Sequence, residues 1–399
     1  MSSTAVAAAD DGCGAPGFNT IQSAIAAAPG GATIRVCPGT YVEQLTITRS
    51  ITLRAVGAVV VAIPPRPADS RTACDSAPGT GRFRPDQDGV VVCGDVRAAI
   101  AGFTIDAAWP RSTCDDSLFG VLVAGGATLD FSDSRITAAG AVPLNGCDGG
   151  IGIQIGMAWT VPVEAGHAVL SHDRVSGYQK NGIEVDGEGS TARIAATSVR
   201  GAGATRAIVQ NGIEVNGGAF ARITGSTIAG NRCDARSCGP NSLRQSQSAG
   251  VLFIGAARGS AIARSTLAGN DIGVYNLSTS SGAPSVPTVS ITSDRFSDDR
   301  REAILLDQGF AAIDGDQILG GGAVGIQILQ DSLQSYAARG SARSDRIIGM
   351  SRAAVQVLSD HATGDPPGSS TIARSVVGDS AANVLNDSSN YRVGQRADT

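Results

Sequence analysis

Aromatic residues make up only 4% of this 399-residue chain, and charged residues only 17%. Histidine occurs three times, at His167, His172 and His361, and no CxxC pair is present, so the usual zinc-ligand spacings are missing. No apolar run approaches the roughly 18–20 residues that a membrane-spanning helix needs. A basic surface is also lacking: the net charge is −5 and the pI about 5.3, which gives no electrostatic reason to bind nucleic acid or an anionic membrane. No GxSxG nucleophile elbow and no phosphate-binding glycine loop stands out. Leu, Lys, Glu and Met, the long-chain helix formers, are sparse. Too few aromatics remain for a β-propeller with blade signatures, and the strict hexapeptides of a left-handed β-helix are absent.

Glycine (52 residues), Ala, Ser, Thr, Ile and Val dominate instead. That mix suits many short strands joined by tight turns. The segment Asn181-Gly182-Ile183-Glu184-Val185 returns thirty residues later as Asn211-Gly212-Ile213-Glu214-Val215. It belongs to a longer series of Gly-h-x-h strands, where h is apolar. The series runs Val90–Val92, Val121–Val123, Ile153–Ile155, Ile183–Val185, Ile213–Val215, Val251–Phe253, Val274–Asn276, Ile304–Leu306, Ile326–Ile328 and Val355–Val357. A second pattern follows each strand: two short strands joined by a tight bend with Ser or Asp beside it, as in Ala192–Val199, Ala221–Ile228 and Val289–Phe296. The bend residue can bond local backbone or stack on its equivalent in the next coil. One coil cannot bury its own apolar face, so the coils must stack. The expected fold is all-β: a right-handed parallel β-helix, a three-sheet solenoid of about 11–12 coils.

The chain opens with a tail, residues 1–17, that is expected to be ordered only near Cys13. Ile21, Ala24, Ile25 and Ala28 then share one face of a short helix capped by Asn19 or Thr20 and stopped by Pro29-Gly30-Gly31. Strands at Ala32–Cys37, Leu45–Ile47 and Ile51–Leu53 follow. This stretch, FNTIQSAIAAAPGGATIRVCPGTYVEQLTITRSITLRAVG, resembles the opening segment of right-handed parallel β-helix proteins of the pectin lyase-like superfamily. It is similar to that of pectin methylesterase-like secreted bacterial proteins. The resemblance implies that the helix caps the solenoid's first edge. It covers about 40 residues and implies a fold, not an activity. The pectin methylesterase DFIFG-like stretch is not matched, because Asp130-Phe131 continues as Ser132-Asp133. Asp115-Asp116 and Asp298-Asp299 lack the context of the polygalacturonase signatures, and the pectate lyase WxDH-type signature is missing.

Residues 18–399 are expected to form one domain. Its non-repetitive stretches, at 64–88, 107–119, 139–150, 157–166, 230–249 and 278–287, with a further one at 201–210, cluster around the Gly-h-x-h strands. Insertions at one coil position build walls, so these strands become the floor of a groove. Eight cysteines, mostly in loops, favour disulfides and an oxidising compartment. The pairing expected is Cys13–Cys37, Cys74–Cys93, Cys114–Cys147 and Cys233–Cys238. The N-terminus has no hydrophobic signal core and reads as a mature chain with its signal removed, so a secreted, periplasmic or extracellular location is expected.

Alternation points the central residue of each floor strand outward. The outward row is Val91, Leu122, Gln154, Glu184, Glu214, Leu252, Tyr275, Leu305, Gln327 and Gln356. A second row holds Asp186, Asn216, Ile254, Leu277, Asp307 and Leu329. Glu184, Glu214 and Asp186 are the candidate catalytic carboxylates, as acid and base or nucleophile in glycosidic chemistry. Gln154, Asn216, Tyr275, Asp307, Lys180, Arg206 and Leu252 are the candidate substrate contacts. The same polar cluster could bind Ca2+ through carboxylate and amide oxygens, the one cofactor the residues suggest. It could equally bind sugar hydroxyls without chemistry, or be plain solvent-facing side chains. The leading expectation is a secreted carbohydrate-active enzyme, a hydrolase, lyase or transferase, with a glycan or other oligomeric substrate. The alternatives are a non-catalytic glycan-binding or adhesive β-helix, and a scaffold recruited to small-molecule cyclisation or isomerisation. The apolar Leu252–Tyr275–Leu305 patch motivates the last and would also suit a homo-oligomer interface.

Overall fold

The computed structural model describes residues 6–7, 13, 17–68, 77–78, 86–114, 116–234, 248–277, 288–330, 338–359, 369–373, 375–386 and 392–396. The fold is a right-handed parallel β-helix with one short helix among the described residues. Two compact units make up the chain, Met1–Arg200 and Gly201–Thr399.

The first unit begins with the helix Ile21–Ala27, whose Ile21, Ala24 and Ile25 are buried. Thr20 is its N-cap, its side chain accepting from the Ser23 N–H. Glu43 accepts the otherwise orphaned N–H groups of Ile21 and Gln22, both at 2.9 Å. Gln22 reaches the edge strand Leu45–Ile47: its Oε1 accepts the Thr46 N–H at 2.8 Å, and its Nε2 donates to the Thr46 carbonyl at 3.3 Å. The helix thus satisfies an edge that would otherwise recruit another strand. The tail does more than expected: Val6–Ala7 pairs antiparallel with Val36 and Arg35.

Five floor strands follow in this unit: Leu45–Ile47, Asp86–Cys93, Ser117–Ala124, Ile151–Ile155 and Asn181–Asp186. Each pairs in parallel with the next. The second unit has seven: Asn211–Asn216, Ala249–Ile254, Ile272–Leu277, Glu302–Asp307, Val324–Gln330, Ala353–Ser359 and Val384–Asn386. They too pair in parallel, in chain order. Every expected Gly-h-x-h segment lies inside one of these strands. Their inward Ile and Val side chains, such as Ile183, Val185, Ile213 and Val215, are fully buried.

The glycine of the signature has a steric cause. A Cβ on Gly89 would come 2.8 Å from the Gly120 carbonyl oxygen, on Gly250 2.7 Å from that of Gly273, and on Gly273 2.5 Å from that of Ala303. The backbones are too close there for most side chains. At the tight bend a residue with positive φ comes first, such as Asp133 (51°), His172 (60°), Arg264 (51°) or Ser293 (58°). The Ser or Asp after it accepts an N–H from the bend of the preceding coil, which makes a column. In the first unit the Phe103 N–H goes to Ser134 Oγ and the Ser134 N–H to Asp173 Oδ1, at 3.1 and 2.9 Å. In the second unit Ser226, Ser265, Asp294, Asp316 and Asp345 each donate to the next member, ending on Ser375, at 2.6–3.2 Å.

The disulfides Cys13–Cys37 and Cys114–Cys147 are formed as expected. Cys93 and Cys233 are also disulfide-bonded. The partners expected for them, Cys74 and Cys238, lie outside the described residues, as does His361.

Candidate functional site

In the first unit the outward row has the expected register: Val91 faces Leu122, Leu122 faces Gln154, and Gln154 faces Glu184. A glutamate on the outer face of a strand is ordinarily washed by solvent. Glu184 is only 7% exposed, and the Asn181 side chain donates to its Oε2 at 2.6 Å. Asp186, two residues on, is buried and accepts the Ala158 N–H at 2.7 Å. Gln154 is buried too, its Nε2 donating to the Gly156 carbonyl at 2.8 Å. Buried polar groups are costly unless they are bonded, so these contacts hold the groups in fixed positions. Lys180 forms an ion pair with Asp148 at 3.2 Å.

The second unit repeats the device. Glu214 is 9% exposed; Asn211 donates to its Oε2 at 3.0 Å and Asn216 to its Oε1 at 3.2 Å. Asn211 also accepts the Ala249 N–H at 3.2 Å. The Asn-Gly-Ile-Glu spacing thus has a chemical meaning, in which the asparagine that opens the strand braces the glutamate three residues later. Along the row Glu214 faces Leu252, then Tyr275, then Leu305. The Tyr275 hydroxyl donates to Asp307 Oδ2 at 2.9 Å, which brings together two residues placed apart in the sequence reading. Leu252 and Leu305 pack with Ala249, Ile272 and Leu329, and Ile254, Tyr275 and Leu358 lie against them. Leu252 and Leu305 are thus buried in this cluster, while Tyr275 and Ile254 stay partly exposed. Arg206 is exposed.

The histidines lie elsewhere. His172 occupies a bend, and His167 Nδ1 lies 2.9 Å from Thr191 Oγ1. Among the described residues no group of three or more His, Cys, Asp or Glu side chains is placed to hold a metal ion. Nor does any described helix have the length and apolarity to cross a membrane.

Two carboxyls went unnoticed in the sequence. Glu164, in the 157–166 wall loop, is 5% exposed; its Oε2 has no hydrogen-bond partner, and burial pushes the group up to about 7. Glu302, which opens a floor strand in the second unit, is likewise buried with an unpartnered Oε2. Burial raises it to about 7, against the lowering pull of Arg301 and Arg352. A carboxyl in a loop carries no periodic signal. Glu302 could have been noticed as the one acid in a row otherwise held by Asn211, Ala249, Ile272, Val324 and Ala353.

No protein-family model matches the sequence, and no curated protein matches it. Solved structures do resemble the fold. One is the A-module of the Azotobacter vinelandii mannuronan C-5 epimerase AlgE4, at 11% identity and a TM-score of 0.56, with 94% of each chain covered. Another is the Agl-KA catalytic domain, at 12% identity and a TM-score of 0.60, covering 91% of this chain and 62% of that one. At such identities the likeness speaks for the parallel β-helix fold alone.

Proposed function

We propose that the protein is a secreted carbohydrate-active enzyme that binds a glycan on its floor strands and acts on it with floor carboxylates. One observation carries this reading: in each unit an outward-facing glutamate, Glu184 or Glu214, is about nine-tenths buried and braced by the asparagine three residues before it. Folding does not require an acid there, since Leu122 and Leu305 fill the same row position. Groups kept desolvated and fixed are what proton transfer and hydroxyl recognition need. Glu184, Asp186 and Glu214 are assigned the proton-transfer chemistry. Gln154, Asn216, Tyr275, Asp307, Lys180 and Arg206 are assigned the sugar hydroxyls or an acidic substituent. The disulfides support an oxidising compartment. The AlgE4 module, by its name a mannuronan epimerase, adds an analogy of fold, as does membership of the pectin lyase-like superfamily, which the opening segment suggests.

The test is incubation with a panel of linear uronate and neutral polysaccharides, followed by separation of the products. New reducing ends, unsaturated ends or inverted stereocentres, lost in both Glu184→Gln and Glu214→Gln, are the expected result. Binding without any product would favour an adhesive role, and full activity in both variants would sink the assignment.

A further inference from the structure

Two wall loops meet over the first unit's floor. Thr160 and Val161 pair antiparallel with Pro78 and Ala77. The 157–166 loop is itself closed by Met157 and Glu164, whose backbones exchange hydrogen bonds at 2.9 and 3.2 Å. Beneath this strap Met157 packs among Val91, Leu122, Ala124, Phe119 and Ile151. Val91 and Leu122 are the outward floor positions that precede Gln154 in the row. The face that could have carried further subsites on that side is filled with side chains. The strap reaches the polar residues, where the Ala158 N–H is bonded to Asp186.

At this boundary Trp159 stands with its ring centroid 6.4 Å from that of Phe119, yet it remains 44% exposed. Val161, Pro162 and Val163 are exposed as well, while Thr160 before them and Glu164 after them are buried. An accessible indole in the loop whose Ala158 N–H is bonded to Asp186 suits a pyranose, which offers an apolar C–H face and a rim of hydroxyls.

We propose that the strap ends the binding floor, so that the first unit receives the terminal sugar of a glycan chain, with Trp159 as the platform for that ring. The proposal rests on the glycan reading above. It commits the protein to recognition of chain ends, since an internal segment would have to run through the volume occupied by Met157.

The experiment measures binding, by calorimetry, of short linear uronate and neutral oligosaccharides whose ends are either free or chemically blocked. The expected result is that blocking one particular end weakens binding at least about tenfold. Trp159→Ala should weaken binding of the free-ended chain by a similar factor and leave the melting temperature nearly unchanged. Equal binding of free-ended and doubly blocked chains overturns the end-recognition proposal and leaves the glycan reading standing. No binding of any oligosaccharide or parent polysaccharide overturns both. The comparison of ends uses the unaltered protein, so it holds even if the variant folds poorly.

Discussion

Asp316→Asn removes a charge for which the fold provides little compensation. Asp316 is fully buried in the bend column of the second unit, between Asp294 and Asp345. Its Oδ1 accepts the Asp294 N–H, but its Oδ2 has no partner. Burial, and then the like charges of Asp294, Asp345 and Asp314, push its carboxyl up to about 8. Asp294 and Asp345 are themselves raised to about 7 and about 6 by burial; Arg264 near Asp294 pulls the other way. A carboxyl raised in the folded state binds its proton more tightly there than in the unfolded chain. Its contribution favours the fold at acid pH, falls as pH climbs from the ordinary value near 4, and is fully unfavourable only above about 8. Each tenfold change in proton affinity is worth about 1.4 kcal/mol, so the roughly four decades between the ordinary and the raised value bound the penalty above pH 8 at about 5–6 kcal/mol. The three aspartates share the column's protons, which spreads the cost, and about 1–3 kcal/mol is expected from Asp316 alone. Asparagine keeps the shape and the acceptor without the charge. Thermal melts should therefore rise by roughly 2–10 °C in Asp316→Asn near pH 8.5, with little change near pH 5. Other buried carboxyls raised to about 7, Glu164 and Glu302 among them, titrate in the same window, so the comparison of the Asn variant with wild type at each pH isolates Asp316. A wild-type melting temperature that rises between pH 6 and 8.5, or an Asn variant no more stable at the upper end, would refute the reasoning.

Other expectations follow from the same geometry. Gly250→Val should destabilise by about 3 kcal/mol or more, read by denaturant unfolding, because its Cβ alone would meet the Gly273 carbonyl at 2.7 Å. Gln22→Ala leaves both backbone groups of Thr46 without their side-chain partner, at a cost of about 1–3 kcal/mol, and should raise concentration-dependent association measured by light scattering. Glu164→Gln removes a carboxyl raised to about 7 by burial, so its gain in melting temperature over wild type should appear above that pH and vanish below about 5.

The solenoid was legible because its causes repeat. Glycine recurs where backbones nearly touch, Ser or Asp recurs at most bends, and apolar residues alternate with the floor's outward row. The registers of Gln154 with Glu184 and of Glu214 with Leu252 and Tyr275 follow from that periodicity alone. What the sequence left open depends on loops. The burial of Glu184, the Ala158–Asp186 bond and the strap through Thr160–Val161 arise from contacts between segments with no shared period. Glu164 was passed over for the same reason: its environment is made by the loop's path, and nothing in the local residue pattern marks it. Leu252, an outward residue and a candidate substrate contact, also packs in an apolar cluster with the neighbours in its row.

The central claim is that the braced floor glutamates exist to engage a glycan. A glycan array probed with the wild-type protein, Glu184→Gln and Glu214→Gln, each checked for an unchanged melting temperature, tests it directly. The account predicts that the wild type binds a defined set of glycans and that each variant loses binding to that set by about tenfold or more, the usual cost of a lost charge-assisted bond. An array blank for the wild-type protein, or unaltered binding in both variants, would contradict it.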